Sequence, residues 1–308
     1  MIKKYIPFFV LALSCCYNAS GQTEMDAIMM NKKQMCIGPM YTYSSWDHYW
    51  EGKYKRNNQN LGKVSTQSFL LGANYGITDN LNVMVMAPYV WTKASAGTLR
   101  GMEGIQDISA FVKYRYIPFK KGNHKVSVFA LGGVSAPLTD YVADFLPLSI
   151  GMGTTNVTGK LMADYQWKKI TVTASAAYIW RSNVDIDRSS YYDTQLRLTN
   201  EVKMPDQMQY HIRAGYRGKY LLAEAVFTRM VTMGGNDITK NNMPSLNNRM
   251  NASIIGGQFK YHMPFHPNLA LTGGVGYTVD GRNVGQTLSI SGGIFYFFYF
   301  GKRQTPNS

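Results

Sequence analysis

Between residues 33 and 300 apolar and polar residues alternate in a series of short runs. In residues 158–167, Gly159, Leu161, Ala163, Tyr165 and Trp167 share one parity, while Thr158, Lys160, Met162, Asp164 and Gln166 share the other. The next run repeats the pattern, with Val172, Ala174, Ala176, Tyr178 and Trp180 set against Thr171, Thr173, Ser175, Ala177 and Arg181. A period of two is the signature of a strand. Strands with one apolar face and one charged or hydroxylated face suit a wall between lipid and water. Closed into a ring, they satisfy every backbone hydrogen bond inside a bilayer.

The pattern predicts strands at 33–47, 63–78, 81–93, 105–117, 124–137, 155–167, 170–182, 206–217, 219–232, 249–263, 267–279 and 285–300. Their connections alternate in length. Short ones are Asp79-Asn80, 119–123, Lys168-Lys169, Gly218 and 264–266. Long ones span 48–62, 94–104, 138–154, 183–205 and 233–248, with a smaller one at 280–284. Tight turns on one side and long loops on the other are the habit of an outer-membrane barrel with both termini at the periplasmic side. The expected fold is therefore all-β: a transmembrane, antiparallel, up-and-down barrel of twelve strands over residues 33–300. Residues 22–32 are expected to form a short exposed lead, and 301–308 a tail.

Other runs carry the same parity. Leu81, Val83, Val85, Ala87, Tyr89 and Trp91 face away from Asn82, Met84, Met86 and Pro88. Ile108, Ala110, Val112, Tyr114 and Tyr116 oppose Asp107, Ser109, Phe111, Lys113 and Arg115. Met208, Tyr210, Ile212, Ala214 and Tyr216 oppose Gln207, Gln209, His211, Arg213 and Arg217. Tyrosine and tryptophan gather near strand ends, as interfacial girdles require. The last run ends in six aromatics, residues 295–300, the kind of terminal strand that barrel-assembly machinery reads, although 301–308 continue beyond it. A secreted β-sandwich would also alternate, but it would bury aliphatics and would not need aromatics at both ends of so many strands.

The first residues predict export. Lys3 and Lys4 precede an apolar stretch at 6–13, and Ala19-Ser20-Gly21 offers small residues for cleavage, giving a signal peptide over 1–21. The apolar stretch is too short to span a bilayer as a helix. Ser14-Cys15-Cys16 raises lipidation as an alternative, but Ala12 stands three residues before Cys15 where leucine is usual. Beyond the leader only Cys36 remains, which excludes an intramolecular disulfide and a cysteine zinc site. Mean hydropathy is −0.21, as expected when only alternate residues meet lipid. The formal charge of +14, or +12 without Lys3 and Lys4, suits either a basic exterior against outer-membrane lipid and lipopolysaccharide or a basic lumen attractive to anions.

Two segments resemble a known family. Gly104-Ile105-Gln106-Asp107-Ile108-Ser109 with Lys113-Tyr114-Arg115-Tyr116 resembles the GxGDxxxxxKYRF strand of outer-membrane transporters grouped as the meta-pathway phenol-degradation family. Gly132-Gly133-Val134-Ser135-Ala136-Pro137-Leu138-Thr139-Asp140-Tyr141 resembles that family's GvslPTGdY segment, and 147–151 its small-residue loop. The chain departs from the pattern at Leu138, with no glycine before Asp140. Specific motifs cover 104–180, and strand rhythm covers most of the rest. The resemblance implies uptake of hydrophobic or aromatic compounds, and it supplies no binding residues.

Ionisable groups on the polar parity are the site candidates: Asp107, Lys113, Arg115, Lys160, Asp164, His211, Arg213, Arg217 and Glu224. Each is costly against lipid and is expected to face the lumen, where it either lines a solute path or pairs with its neighbours to fill the interior. Arg213, mid-strand beside His211, is the foremost pore cation, with Glu224 its alternative salt-bridge partner. No HExxH, CxxC or carboxylate–histidine cluster is present, so no metal is expected. Met84 and Met86, with Met25, Met29, Met30 and Met35, read as adaptable filler rather than copper ligands. No histidine–serine signature of an outer-membrane phospholipase is visible, and the glycines around 101–104 do not open a helix as a nucleotide loop would. No cofactor and no nucleic-acid partner is expected. The expected function is passive uptake of a small solute, with a closed structural or surface-interaction barrel as the alternative and a lipid-acting enzyme as the third reading.

Overall fold

The computed structural model describes residues 23–238 and 244–300. The expected signal peptide and C-terminal tail lie outside the described residues. Twelve long strands run in chain order: β1 Gln34–Trp46, β2 Val64–Thr78, β3 Leu81–Ala94, β4 Asp107–Lys121, β5 His124–Pro137, β6 Asn156–Trp167, β7 Ile170–Arg181, β8 Gln207–Arg217, β9 Leu221–Thr232, β10 Asn251–His262, β11 Leu269–Arg282 and β12 Leu288–Tyr299. Each pairs antiparallel with the next. β12 pairs back onto β1, from Gln34 opposite Tyr299 to Ser45 opposite Leu288, so the sheet closes and has no long free edge. The short Glu103–Ile105 strand adds to β3 above the start of β4.

The strands fall where the alternation places them, with two extensions. β4 runs on to Lys121 through an irregularity between Tyr116 and Phe119. Pro118 lies within it; a residue without an N–H is tolerated where the ladder is already broken. The turn then shrinks to Gly122-Asn123, with Gly122 at φ 56°. β11 continues to Arg282 because its pairing with β10 persists to Asn251.

Parity separates two faces. On β6, Leu161 is 67% exposed while its neighbours Lys160 and Met162 are 5% and 2% exposed. On β4, Val112, Tyr114 and Tyr116 are exposed around a fully buried Lys113. An exposed apolar belt on a closed sheet makes this a membrane-spanning barrel of the outer-membrane type. Aromatics rim it at the turn end, where Lys168, Lys169 and Lys219 lie over Trp167, Tyr216 and Tyr220 at 5.5, 5.8 and 4.9 Å.

The lead is not exposed. Residues from Asp26 to Met30 are buried within the barrel, and only Asn31, Lys32 and Lys33 surface at the turn rim. The physical reason is that Ala27, Ile28, Met29 and Met30 form an apolar run with no strand to join. It buries against the inward face instead of meeting water.

At the other rim the loops build a cap. Ala143, Val184, Ile186, Val202, Met204 and Leu246 form a common apolar cluster. Arg282 clamps the loop after β9, its Nε and Nη2 each donating to Asp237 at 2.6 Å. That pairing, helped by Asn283, holds the Asp237 carboxyl down to about 2 from an ordinary 3.8. A depressed folded pKa means the clamp's contribution is present above the ordinary value and lost as pH falls through about 2. Protease resistance of this loop should therefore hold at about pH 5 and fail on further acidification. Asp237→Asn should be weakened at neutral pH and flat across that window. An unchanged acid profile in the variant would assign the transition elsewhere.

Candidate functional site

The lumen has two unlike halves. From β3 to β9 the inward positions carry bulk or charge. Arg213 on β8 donates from Nη1 to Glu224 of β9 at 3.2 Å and from Nε to His211 Nε2 at 2.7 Å. His211 Nδ1 is 2.7 Å from Thr228 Oγ1; because Nε2 accepts from arginine, Nδ1 is the donor here. Arg217 spans Asp164 and Glu224, at 3.3 Å each. Thr173 donates to Asp164 at 2.6 Å, and Gln258 to Glu224 at 2.9 Å. Five of the nine candidates, Asp164, His211, Arg213, Arg217 and Glu224, thus form one connected network, with both carboxylates multiply satisfied. Such a network fixes its members, since removing one partner of a buried pair costs about 3–5 kcal/mol.

Two further candidates hold the lead. Lys113 Nζ donates to the Thr23 carbonyl at 2.7 Å, to the Asp26 carbonyl at 2.9 Å and to Asp26 Oδ1 at 3.5 Å. Lys160 Nζ donates to the Glu24 carbonyl at 3.2 Å. Asp26 shapes the lead itself by accepting from the backbone N–H groups of Thr23 and Ile28. Ala27 and Met29 pack on Met84, Phe129, Leu131 and Met162, while Met30 packs with Cys36, Ala270 and Phe297. Met84 and Met29 therefore serve as filler.

The last two candidates lie near the rims. Asp107 accepts from the Tyr141 hydroxyl at 2.6 Å, tying the β5–β6 loop to the lumen mouth. Arg115 donates to Asn80 Oδ1 and the Asp79 carbonyl, stapling the β2–β3 turn to β4.

In the other half, from β10 round to β2, glycine and serine recur at inward positions among larger side chains such as Met40, Leu70, Lys260 and Phe295. Gly256 on β10, Gly274 and Gly276 on β11, and Ser289 and Ser291 on β12 line a cavity of about 590 Å³. It reaches from Gln106 and Asp107 at the loop end to Lys260 toward the turn end, and is bounded inward by Thr23, Asp26 and Arg213. A second cavity of about 250 Å³ lies on the far side of Glu24 and Met25, against Thr158, Lys160 and Arg181. Four basic side chains, Lys113, Lys160, Arg213 and Lys260, are buried with three acids, Asp26, Asp164 and Glu224. By formal charge this buried set carries an excess of one cation.

Lys260, the glycine-lined wall and the docked lead are absent from the nine candidates. The signals for them are present in the chain. Gly256-Gly257, Gly273-Gly274, Gly276 and Gly292-Gly293 recur on adjacent strands. Met84, Phe129, Leu131 and Met162 are apolar on the polar parity, which calls for something apolar inside the barrel.

Among solved structures, the chain resembles the COG4313 outer membrane channel from Pseudomonas putida F1 at a TM-score of 0.72 and 15% identity, covering 91% of this chain and 100% of that one. This likeness supports the fold. More distant likenesses include the transport unit of the autotransporter AIDA-I from Escherichia coli, at a TM-score of 0.45 and 11% identity over 88% and 91% of the two chains. The TodX monoaromatic hydrocarbon channel gives 0.45 and 9% over the same shares. A comparison with curated proteins finds no match. The family profile described as "Putative MetA-pathway of phenol degradation" matches residues 55–294, most of the barrel, and the chain belongs to that family.

Proposed function

We propose that the protein is a passive outer-membrane channel for small, apolar or aromatic solutes, with a preference for anions. The observation that carries this reading is the half-open lumen: a cavity of about 590 Å³ runs along the glycine-lined wall while charge and the lead fill the opposite side. Its lining joins apolar side chains such as Met40, Met86 and Phe295 to the cations Arg213 and Lys260. Membership in a phenol-degradation family and likeness to an outer membrane channel are in keeping with it. The reading is that of a channel and not of an enzyme, with His211 serving the lumen network through Thr228 and Arg213.

Flux tests the reading. Proteoliposomes should take up benzoate faster than sucrose, and cells lacking the protein should take up aromatic acids more slowly. Arg213→Ala removes a lumen cation while Glu224 keeps Arg217 and Gln258. The barrel should assemble, and its reversal potential should move away from anion preference. The filled half-lumen and docked lead favour a second reading, a closed structural barrel. No flux in proteoliposomes together with normal uptake in cells would establish it.

A further inference from the structure

We infer that the cavity on the glycine-lined side is a binding site for an organic monoanion with an apolar body, and that Lys260 supplies its counter-charge. The inference rests on the channel reading for how the ligand arrives, and on the lumen geometry for the rest. Lys260 is 8% exposed and lines the cavity. Among the described residues its ammonium makes no hydrogen bond and no ion pair. It lies over the face of Phe295, 5.4 Å away, and the carboxylates of Asp26 and Glu224 attract it without a direct bond. The other buried bases are matched: Lys113 and Lys160 by the lead, Arg213 by Glu224.

The nearby carboxylates are occupied. Asp26 accepts from Thr23, Ile28 and Lys113. Glu224 accepts from Arg213, Arg217 and Gln258. The ammonium opens to the cavity and has no acceptor among the described residues, so whatever fills the cavity, water or a ligand, must supply one.

The rest of the lining decides the ligand class. Met40, Leu70, Met86, Val226, Ile254 and Phe295 present an apolar surface in the same cavity. Its volume of about 590 Å³ lies in the range of small-molecule sites. An inorganic anion would satisfy Lys260 and leave that surface wet. A neutral hydrocarbon would cover the surface and leave the ammonium bare. A carboxylate on a hydrocarbon body satisfies both.

Calorimetry on the full chain in nanodiscs tests this with three probes: benzoate, benzyl alcohol and acetate. Benzoate should bind at least about tenfold more tightly than either of the others. Lys260→Met should bring benzoate down to the level of benzyl alcohol, and Lys260→Arg should retain the preference. Methionine keeps the stem and removes an unpaired buried charge, so the barrel should assemble, as heat-modified gel mobility will report. The wild-type comparison is decisive even without a variant. Equal binding of benzoate and benzyl alcohol, acetate binding as tightly as benzoate, or full benzoate binding by an assembled Lys260→Met protein would each overturn the site. Benzoate binding without flux would remove the channel and leave the site; flux without a benzoate preference would do the reverse.

Discussion

Lys113→Met is expected to release the lead and widen the pore. Lys113 is fully buried, and its ammonium gathers the carbonyls of Thr23 and Asp26 and the Asp26 carboxylate at one point. Methionine keeps the stem and removes all of these bonds. The lead is then left with a buried carboxylate that has lost its cation and with carbonyls that have lost their donor. Breaking a buried pair this way costs about 3–5 kcal/mol. The apolar contacts of Ala27, Met29 and Met30 oppose release, at up to about 1.5–3 kcal/mol for each buried methionine, so the two sides are of similar size and the lead should be released part of the time. Because the barrel strands keep their own ladders, the loss should fall on the lead. Single-channel conductance should rise several-fold, and residues 23–30 should become cleavable by protease in the folded protein. Unchanged conductance with a still-protected lead would show that apolar packing alone holds it.

Leu161→Arg should abolish or severely impair assembly. Leu161 sits at the middle of β6, opposite Ala130 of β5 and Ala176 of β7, and is 67% exposed on the outer face. An arginine near the bilayer midplane costs about 2–4 kcal/mol, depending on depth. Lys160→Ala, one residue away, changes an inward side chain whose contacts are to the Glu24 carbonyl and Met25. It should loosen the lead and leave the barrel foldable. A refolding assay in lipid vesicles separates the two. Equal damage from both would contradict the assignment of faces.

Much of the barrel is legible in the chain because a period of two is enforced by lipid on one side only. Every error of parity would place a charge such as Lys160 or Arg213 in hydrocarbon, so the faces cannot drift. The strand ends are less legible. The extension of β4 past Pro118 depends on pairing with β5, which no local signal announces. The lead is harder still. A polar start followed by Ala27, Ile28, Met29 and Met30 has no alternation, and its burial depends on an apolar patch contributed by β3, β5 and β6.

The candidate site shows the same division. Parity places Arg213 and Glu224 on the inner face, but whether they meet is decided by the β8–β9 register, in which Gly215 lies opposite Glu224 and Arg213 opposite Val226. The proposed reach of Arg213 into an open path therefore coexists with a salt bridge. Lys260 was readable as an inward residue of β10, yet its lack of an acid partner emerges only when Asp26 and Glu224 are seen to be engaged elsewhere.

The half-open lumen is tested most directly by single-channel recording of the purified full-length protein in a planar bilayer, with a salt gradient across it. A path along the glycine-lined wall, beside a docked lead and a buried set with one cation in excess, predicts small discrete conductance steps with a reversal potential on the anion side. A silent bilayer containing correctly assembled protein, or a cation-selective pore, would contradict it.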